Sequence, residues 1–183
     1  MEHLLIPPHG GHLVHRVLTP EHADRMREQQ SSKNVRSVRL DSEQVKTFKN
    51  IARGVYSPLD GFMNEKDFMR VVEHMRLCDG TIWPLPIVLD IPPDIARDVK
   101  KGDSLNCCDN NGILIAVLHV EDVYTFDVME VVQHLFGTTS VEHPGVAHWM
   151  RMHRTLVGGS IDLIDNTKEP YYEFNLDPAE TRL

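Results

Sequence analysis

Apolar positions along this chain first recur with a helical period between Asp41 and Gly54, where Val45, Phe48, Ile51 and Ala52 form one stripe. Asp41 stands where an N-cap belongs, Gln44 three residues on completes a capping box, and Gly54 closes the helix. After a rigid turn, Ser57-Pro58-Leu59-Asp60-Gly61, the period returns. Asn64 caps a helix whose stripe is Phe68, Val71, Val72 and Met75, a pattern of core packing. Upstream, Thr19-Pro20-Glu21 starts a helix that is polar nearly all round and is expected to fray near Gln30. Before it, Met1 to Gly11 reads as extended, with Gly10-Gly11 as a turn into a short strand, His12 to Leu18.

From Trp83 the period changes to that of a strand. Trp83 to Ile91 is apolar and β-branched, and Pro84 and Pro86 confine it to a sheet edge or a strand start. Pro92-Pro93 then leads one short helical turn over Asp94 to Val99. Ser104 to Cys108 and Ile113 to Val120 flank Asn110-Asn111-Gly112, which predicts a hairpin with a type I′ turn. The adjacent Cys107 and Cys108 point to opposite faces of that hairpin, one inward and one outward. Asp127 with Glu130 opens a helix over Val128 to Phe136, and Gly137 stops it. His143-Pro144-Gly145 leads into a short helix containing Trp149, and Val157-Gly158-Gly159 reads as a turn into a last strand, Ser160 to Ile164.

Composition narrows the function classes. The chain has 183 residues, enough for one packed domain with a tail, and carries 41% hydrophobic and 25% charged residues, the balance of a globular protein. No apolar run reaches bilayer-spanning length, the N-terminus has no basic stretch ahead of an apolar core, and three cysteines supply no disulfide framework. The expected location is cytoplasmic. A net charge of −8 opposes general nucleic-acid affinity, which needs a basic surface. The charge is uneven: from Arg25 to Arg53 eight basic residues (Arg25, Arg27, Lys33, Arg36, Arg39, Lys46, Lys49, Arg53) stand against three acidic ones. They form either a solvated helical face or a patch for an anionic partner. Beyond Ile164 the chain is acidic and proline-broken, and Tyr171, Tyr172 and Phe174 look like anchors for a neighbour.

Candidate chemistry is sparse. No phosphate-binding glycine loop, HExxH, paired CxxC or GxSxG occurs, and Gly10-Gly11 and Gly158-Gly159 read as turn glycines. His12 and His15 lie three apart, but on a strand they face opposite ways, so no metal site is assigned.

Four ordered motifs nonetheless resemble one family. They are Ile6-Pro7-Pro8-His9-Gly10-Gly11; Tyr56-Ser57-Pro58-Leu59 with Gly61-Phe62-Met63; Trp83-x-Leu85-Pro86-Ile87; and Phe136-Gly137-Thr138-Thr139 with His143-Pro144-Gly145-Val146. Together with Asp177-Pro178-Ala179-Glu180-Thr181-Arg182, they resemble the N-terminal part of ATP sulfurylase (sulfate adenylyltransferase). The resemblance implies an α+β fold, a PUA-like β-barrel (pseudo-barrel) with peripheral helices over residues 1–168, and an acidic tail or linker, 169–183, toward a catalytic domain. In that family the catalytic domain carries QxRNP-, HxxH- and GRDH-type motifs that bind ATP and sulfate. His9-x-x-His12 has the histidine spacing but belongs to the opening motif. The resemblance thus implies a structural or positioning role, with no catalytic residue and no cofactor in this chain, although the complete family enzyme uses MgATP. Implied partners are the catalytic domain in cis or in trans, with room for a homo-oligomer, and no membrane or nucleic acid. Arg53, Tyr56, Asp60 and Arg76, around the organising turn, are the candidate domain-interface residues. A free-standing PUA-like module for RNA or a small anion is the alternative, opposed by the acidic balance.

Overall fold

The computed structural model describes residues 6–32, 35–167 and 172–182, so Lys33, Tyr171 and the side chain of Tyr172 lie outside the described residues. In chain order its elements are α1 (Pro20–Ser32), β1 (Ser37–Arg39), α2 (Ser42–Ala52), β2 (Gly61–Phe62), α3 (Glu65–His74), β3 (Leu89–Ile91), α4 (Pro93–Ala96), β4 (Ser104–Cys108), β5 (Leu114–His119), β6 (Asp122–Thr125), α5 (Val128–Phe136), α6 (Pro144–Arg151) and β7 (Thr155–Leu163). They fall into two compact units.

The first unit takes Met1–Gly61, Ser104–His119 and Ser160–Leu183. Here β1 runs parallel to β4, with Val38 opposite Cys107, and β4 pairs antiparallel with β5, which pairs antiparallel with the second half of β7. β4 alternates in burial, so Leu105 and Cys107 face inward, whereas the centre of β5 is buried throughout, as in a strand covered on both faces. α2 forms as its stripe requires. The Asp41 carboxylate accepts from the N–H groups of Glu43 and Gln44, the Gln44 side chain accepts from the Asp41 N–H, and Phe48, Ile51 and Ala52 are fully buried. α1 reaches Ser32 rather than fraying at Gln30, because Ala23 packs on Val117 and Ile164 and Gln30 is buried.

The second unit takes Phe62–Asp103 and Val120–Gly159, and in it the first half of β7 lies between β3 and β6, with Val157 opposite both Leu89 and Val123. Asn64 caps α3 through the Asp67 N–H, and Phe68, Val71 and Val72 are buried. The Phe68 ring meets Tyr124, Phe126 and Trp149 at centroid distances of 5.7, 5.9 and 6.1 Å.

Several sequence expectations change. Met75 leaves the α3 stripe: it is the helix C-cap in the left-handed region (φ 53°) and 62% exposed. The strand expected over Trp83–Ile91 shrinks to β3, since Pro84 and Pro86 supply no N–H and the Trp83 N–H donates to Met75 O. His12–Leu18 forms no strand either. The Val14 N–H goes to Ser57 Oγ and the Arg16 N–H to Ala52 O, which leaves one bridge, Val17 to Leu163. The β4–β5 hairpin is present with a different turn. Only Gly112 has positive φ (+83°), its N–H donates to Asp109 O, and the Asp109 N–H donates to Ile113 O, a type I turn with a glycine bulge in place of type I′. Gly158-Gly159 is not a turn but lies inside β7. Cys107 is buried and Cys108 half-buried, as their alternation requires.

Candidate functional site

The tightest local construction in the first unit is where α2 ends. Gly54 takes φ +84°, and any Cβ there would collide with the Val14 carbonyl, so only glycine lets the two backbones approach this closely. Ser57 is buried. Its hydroxyl donates to Gly54 O at 2.7 Å and accepts from Val14 N–H at 2.9 Å. Gly10 sits equally close to the next residue: a Cβ would be 2.6 Å from Pro58 Cγ. The two glycines read as turn and helix-stop residues from sequence thus also serve close packing of the opening segment on the organising turn.

Cationic side chains then tie the end of α2 to the C-terminal segment, and that segment to the opening one. Arg53 Nε and Nη2 donate to Asn166 Oδ1 at 3.0 and 2.6 Å, with the Asp177 carboxylate 3.8 Å away. Lys49 Nζ donates to Thr167 O at 3.3 Å, and Arg182 Nη1 donates to Ile6 O at 2.6 Å. Four of the eight basic residues are thus engaged within the molecule: beside Lys49, which is buried, and Arg53, Arg27 bonds Asp24 and Ile164 O, and Lys46 bonds Glu43. What remains is a clasp of opening segment, organising turn and C-terminal segment, bordered by exposed Ile6, Val55, Phe174 and Leu176.

Three of the four sequence candidates fall on this turn. Arg53 is its half-buried clasp residue, Tyr56 Oη lies 3.5 Å from Asn50 Nδ2, and Asp60 exposes its carboxylate while its carbonyl accepts from Ile161 N–H at 3.1 Å. Arg76 belongs to the second unit, where Nη1 donates to Gly80 O at 2.9 Å. Sequence reading missed Asn166 and Asp177 as clasp partners, since nothing local marks a residue that pairs across more than a hundred positions. It also missed the contacts of Asp162 on β7, whose carboxylate accepts from Arg16 Nη2 at 3.0 Å and lies 2.8 Å from Nε2 of His119 on β5. That register could be read only once β5 and β7 were known to pair.

The described contacts of this arrangement hold its own segments together. Among the described residues no group of three His, Cys, Asp or Glu side chains converges as a metal set, and His12 and His15 are both exposed. No described helix is long and apolar enough to cross a membrane.

Comparison with known proteins places the chain. The sulfate adenylyltransferase of Hyperthermus butylicus is 40% identical over 176 residues, which cover 96% of this chain and 44% of that protein. That of Thermococcus onnurineus is 41% identical, covering 96% and 45%. Among solved structures, a hexameric APS kinase from Thiobacillus denitrificans is similar, with a TM-score of 0.72 at 27% identity over 97% of this chain and 31% of that one. The chain thus spans less than half the length of the curated relatives it matches. Residues 6–166 match the family model for the PUA-like domain, an α+β fold, and the chain belongs to that family.

Proposed function

We propose that this chain serves as the PUA-like domain of a sulfate adenylyltransferase and positions a catalytic domain, in cis or in trans, instead of performing the adenylyl transfer. The observation that carries this is coverage: the match takes in 96% of the chain and only 44% of the relative. Chemistry supports it. Attack of sulfate on the α-phosphorus of ATP needs cations and N–H donors converging on developing negative charge. Here Arg53, Lys49 and Arg182 are spent on carbonyls and on Asn166.

In this reading residues 1–168 form the domain proper and 169–183 lead toward the catalytic half. Arg53, Tyr56, Asp60 and Arg76 then belong to the interface, supported by the exposed Phe174 (80%) and Ile6 (82%) beside the clasp. Self-assembly belongs to the same proposal, supported by the hexameric state of the similar APS kinase. A cytoplasmic location also belongs to it, supported by three free cysteines.

The test pairs two measurements. The purified chain should show no ATP–pyrophosphate exchange dependent on sulfate or molybdate, and millimolar MgATP should leave its Tm unmoved, because a ligand bound only by the native state raises it. Titrated with the catalytic portion of a relative, the chain should bind, and Phe174→Asp should weaken binding. Sulfate-dependent turnover by the chain alone, or no binding to any catalytic portion, overturns the proposal.

A further inference from the structure

We propose that Asn111 is a site of spontaneous covalent modification, converting to an isoaspartyl or aspartyl linkage through its own neighbour, Gly112. The reaction balances without any oxidant or enzyme. The Gly112 backbone nitrogen, on losing its proton, attacks Asn111 Cγ; the new N–Cγ bond forms as the Cγ–Nδ2 bond breaks, and Nδ2 departs as ammonia. Water then opens the five-membered imide at either carbonyl. Opening at the original side-chain carbonyl leaves aspartate, and opening at the main-chain carbonyl leaves isoaspartate, with the backbone routed through the former side chain.

Three features of this hairpin favour the step. The first is sequence: Asn111 is followed by glycine, whereas Asn50, Asn64, Asn106 and Asn166 are followed by Ile51, Glu65, Cys107 and Thr167, whose side chains crowd the attacking nitrogen. The second is space. Asn111 and Gly112 are exposed, and a Cβ built at Gly112 would meet nothing within 4 Å, so no neighbouring side chain crowds the glycine. The third is local geometry. Asp109 Oδ2 accepts from Asn111 Nδ2 at 3.2 Å and Asp109 Oδ1 accepts from the Asn111 N–H at 2.9 Å, which holds the carboxamide at the tip of the turn.

Two features oppose it. The Gly112 N–H donates to Asp109 O at 3.0 Å, and the Asp109 carboxylate disfavours a negative charge on that nitrogen. Both act at an exposed turn, where local opening costs far less than global unfolding and solvent screens the charge. The balance favours reaction in the folded chain.

The consequence reaches the core. An isoaspartyl linkage adds a methylene to the backbone inside a turn closed by the Asp109 N–H to Ile113 O bond at 2.9 Å, and it sets a second carboxylate beside Asp109. The strands so joined carry fully buried Leu105, Cys107, Ala116 and Leu118, so register lost at the turn loosens the first unit's sheet.

The test ages the folded chain at mildly alkaline pH and body temperature, with peptide mapping and an isoaspartyl methyltransferase assay at intervals. Amide loss at Asn111 should run at least roughly tenfold faster than at any other asparagine, a barrier difference of about 1.4 kcal/mol. Methyl acceptance should rise with it, and aged protein should melt lower than fresh. Asn111→Gln, checked for an unchanged fresh Tm, should abolish the methyl acceptance that maps to the peptide holding this turn, leaving only what Asp60-Gly61 and Asp79-Gly80 contribute. A folded chain that keeps the Asn111 amide while urea-unfolded chain loses it would show that the turn protects the site, and would overturn the proposal. So would retention of the amide in both.

Discussion

Gly158 on β7 lies so close to the Met63 carbonyl that a Cβ at residue 158 would stand 2.5 Å from that oxygen and 2.8 Å from Asn64 Cα. Both obstacles are backbone, and the Met63 carbonyl also accepts from Tyr124 Oη at 2.9 Å, so the neighbour cannot swing away as a flexible side chain would. Gly158→Ala should therefore destabilise by about 1–3 kcal/mol, the usual range for forcing extra volume into a packed site. A urea midpoint equal to that of the unsubstituted chain would mean the approach is looser than this.

At the β4–β5 turn the constraint is conformational. Gly112 alone in the turn has positive φ, +83°, and a Cβ there meets open space, so only strain penalises substitution. Gly112→Val should lower stability by about 1–3 kcal/mol, and Gly112→Asn, which tolerates the left-handed region better, by less. Equal melting temperatures for all three chains would remove the positive φ as a determinant of the hairpin.

The pattern of successes and failures in the sequence has a physical basis. The helices α2, α3 and α5 were legible because their determinants are local: a cap at Asp41, Asn64 or Asp127, a stripe at helical spacing, and a stop at Gly54 or Gly137. Strands fared worse. β7 was split at Gly158-Gly159 because two glycines look like a turn, whereas Gly158 is needed inside the strand by the approach of Met63, almost a hundred residues away. Val14 and Arg16 failed to extend a strand because Ser57 and Ala52 take their N–H groups. Of the clasp, only Arg53 was singled out, and that as a candidate for a domain interface; its partners Asn166 and Asp177 carry no local signal.

The clasp itself can be opened selectively. Arg53→Ala removes both donors to Asn166 and the cation near Asp177. Loss of charged hydrogen bonds at a half-buried side chain should cost on the order of 1 kcal/mol, while the α2 cap and stripe stay intact. The local effect should be larger: chymotryptic cleavage after Phe174, already 80% exposed, should accelerate more than cleavage anywhere in the second unit. Arg53→Lys should fall between the two, since a single ammonium cannot reproduce the paired donors. Unchanged cleavage after Phe174 in Arg53→Ala would show that Asn166 and Asp177 hold the segment without it.

Alkaline pH should weaken the fold through two buried groups. Burial pushes the Cys107 thiol up, helped by its neighbour Cys108, and burial likewise pushes the Tyr124 phenol up, helped by the carboxylates of Asp122, Glu65 and Asp67. Both shifts favour the protonated form in the folded state. Their contribution is therefore fully present below the unfolded-state pKa and declines as pH rises above it, because the unfolded chain then releases protons that the folded chain retains. Unfolded cysteine ionises near about pH 8.5 and tyrosine near about pH 10, so stability should fall by up to about 1.4 kcal/mol per pH unit past the first and about twice as steeply past the second. Urea midpoints measured across this range test the slope. Cys107→Ala should flatten the first segment and Tyr124→Phe the second, although the latter also leaves the Met63 carbonyl without its hydroxyl donor and starts from a lower stability. A slope that does not steepen through the tyrosine range, in the unsubstituted chain, would show that Tyr124 ionises as readily folded as unfolded.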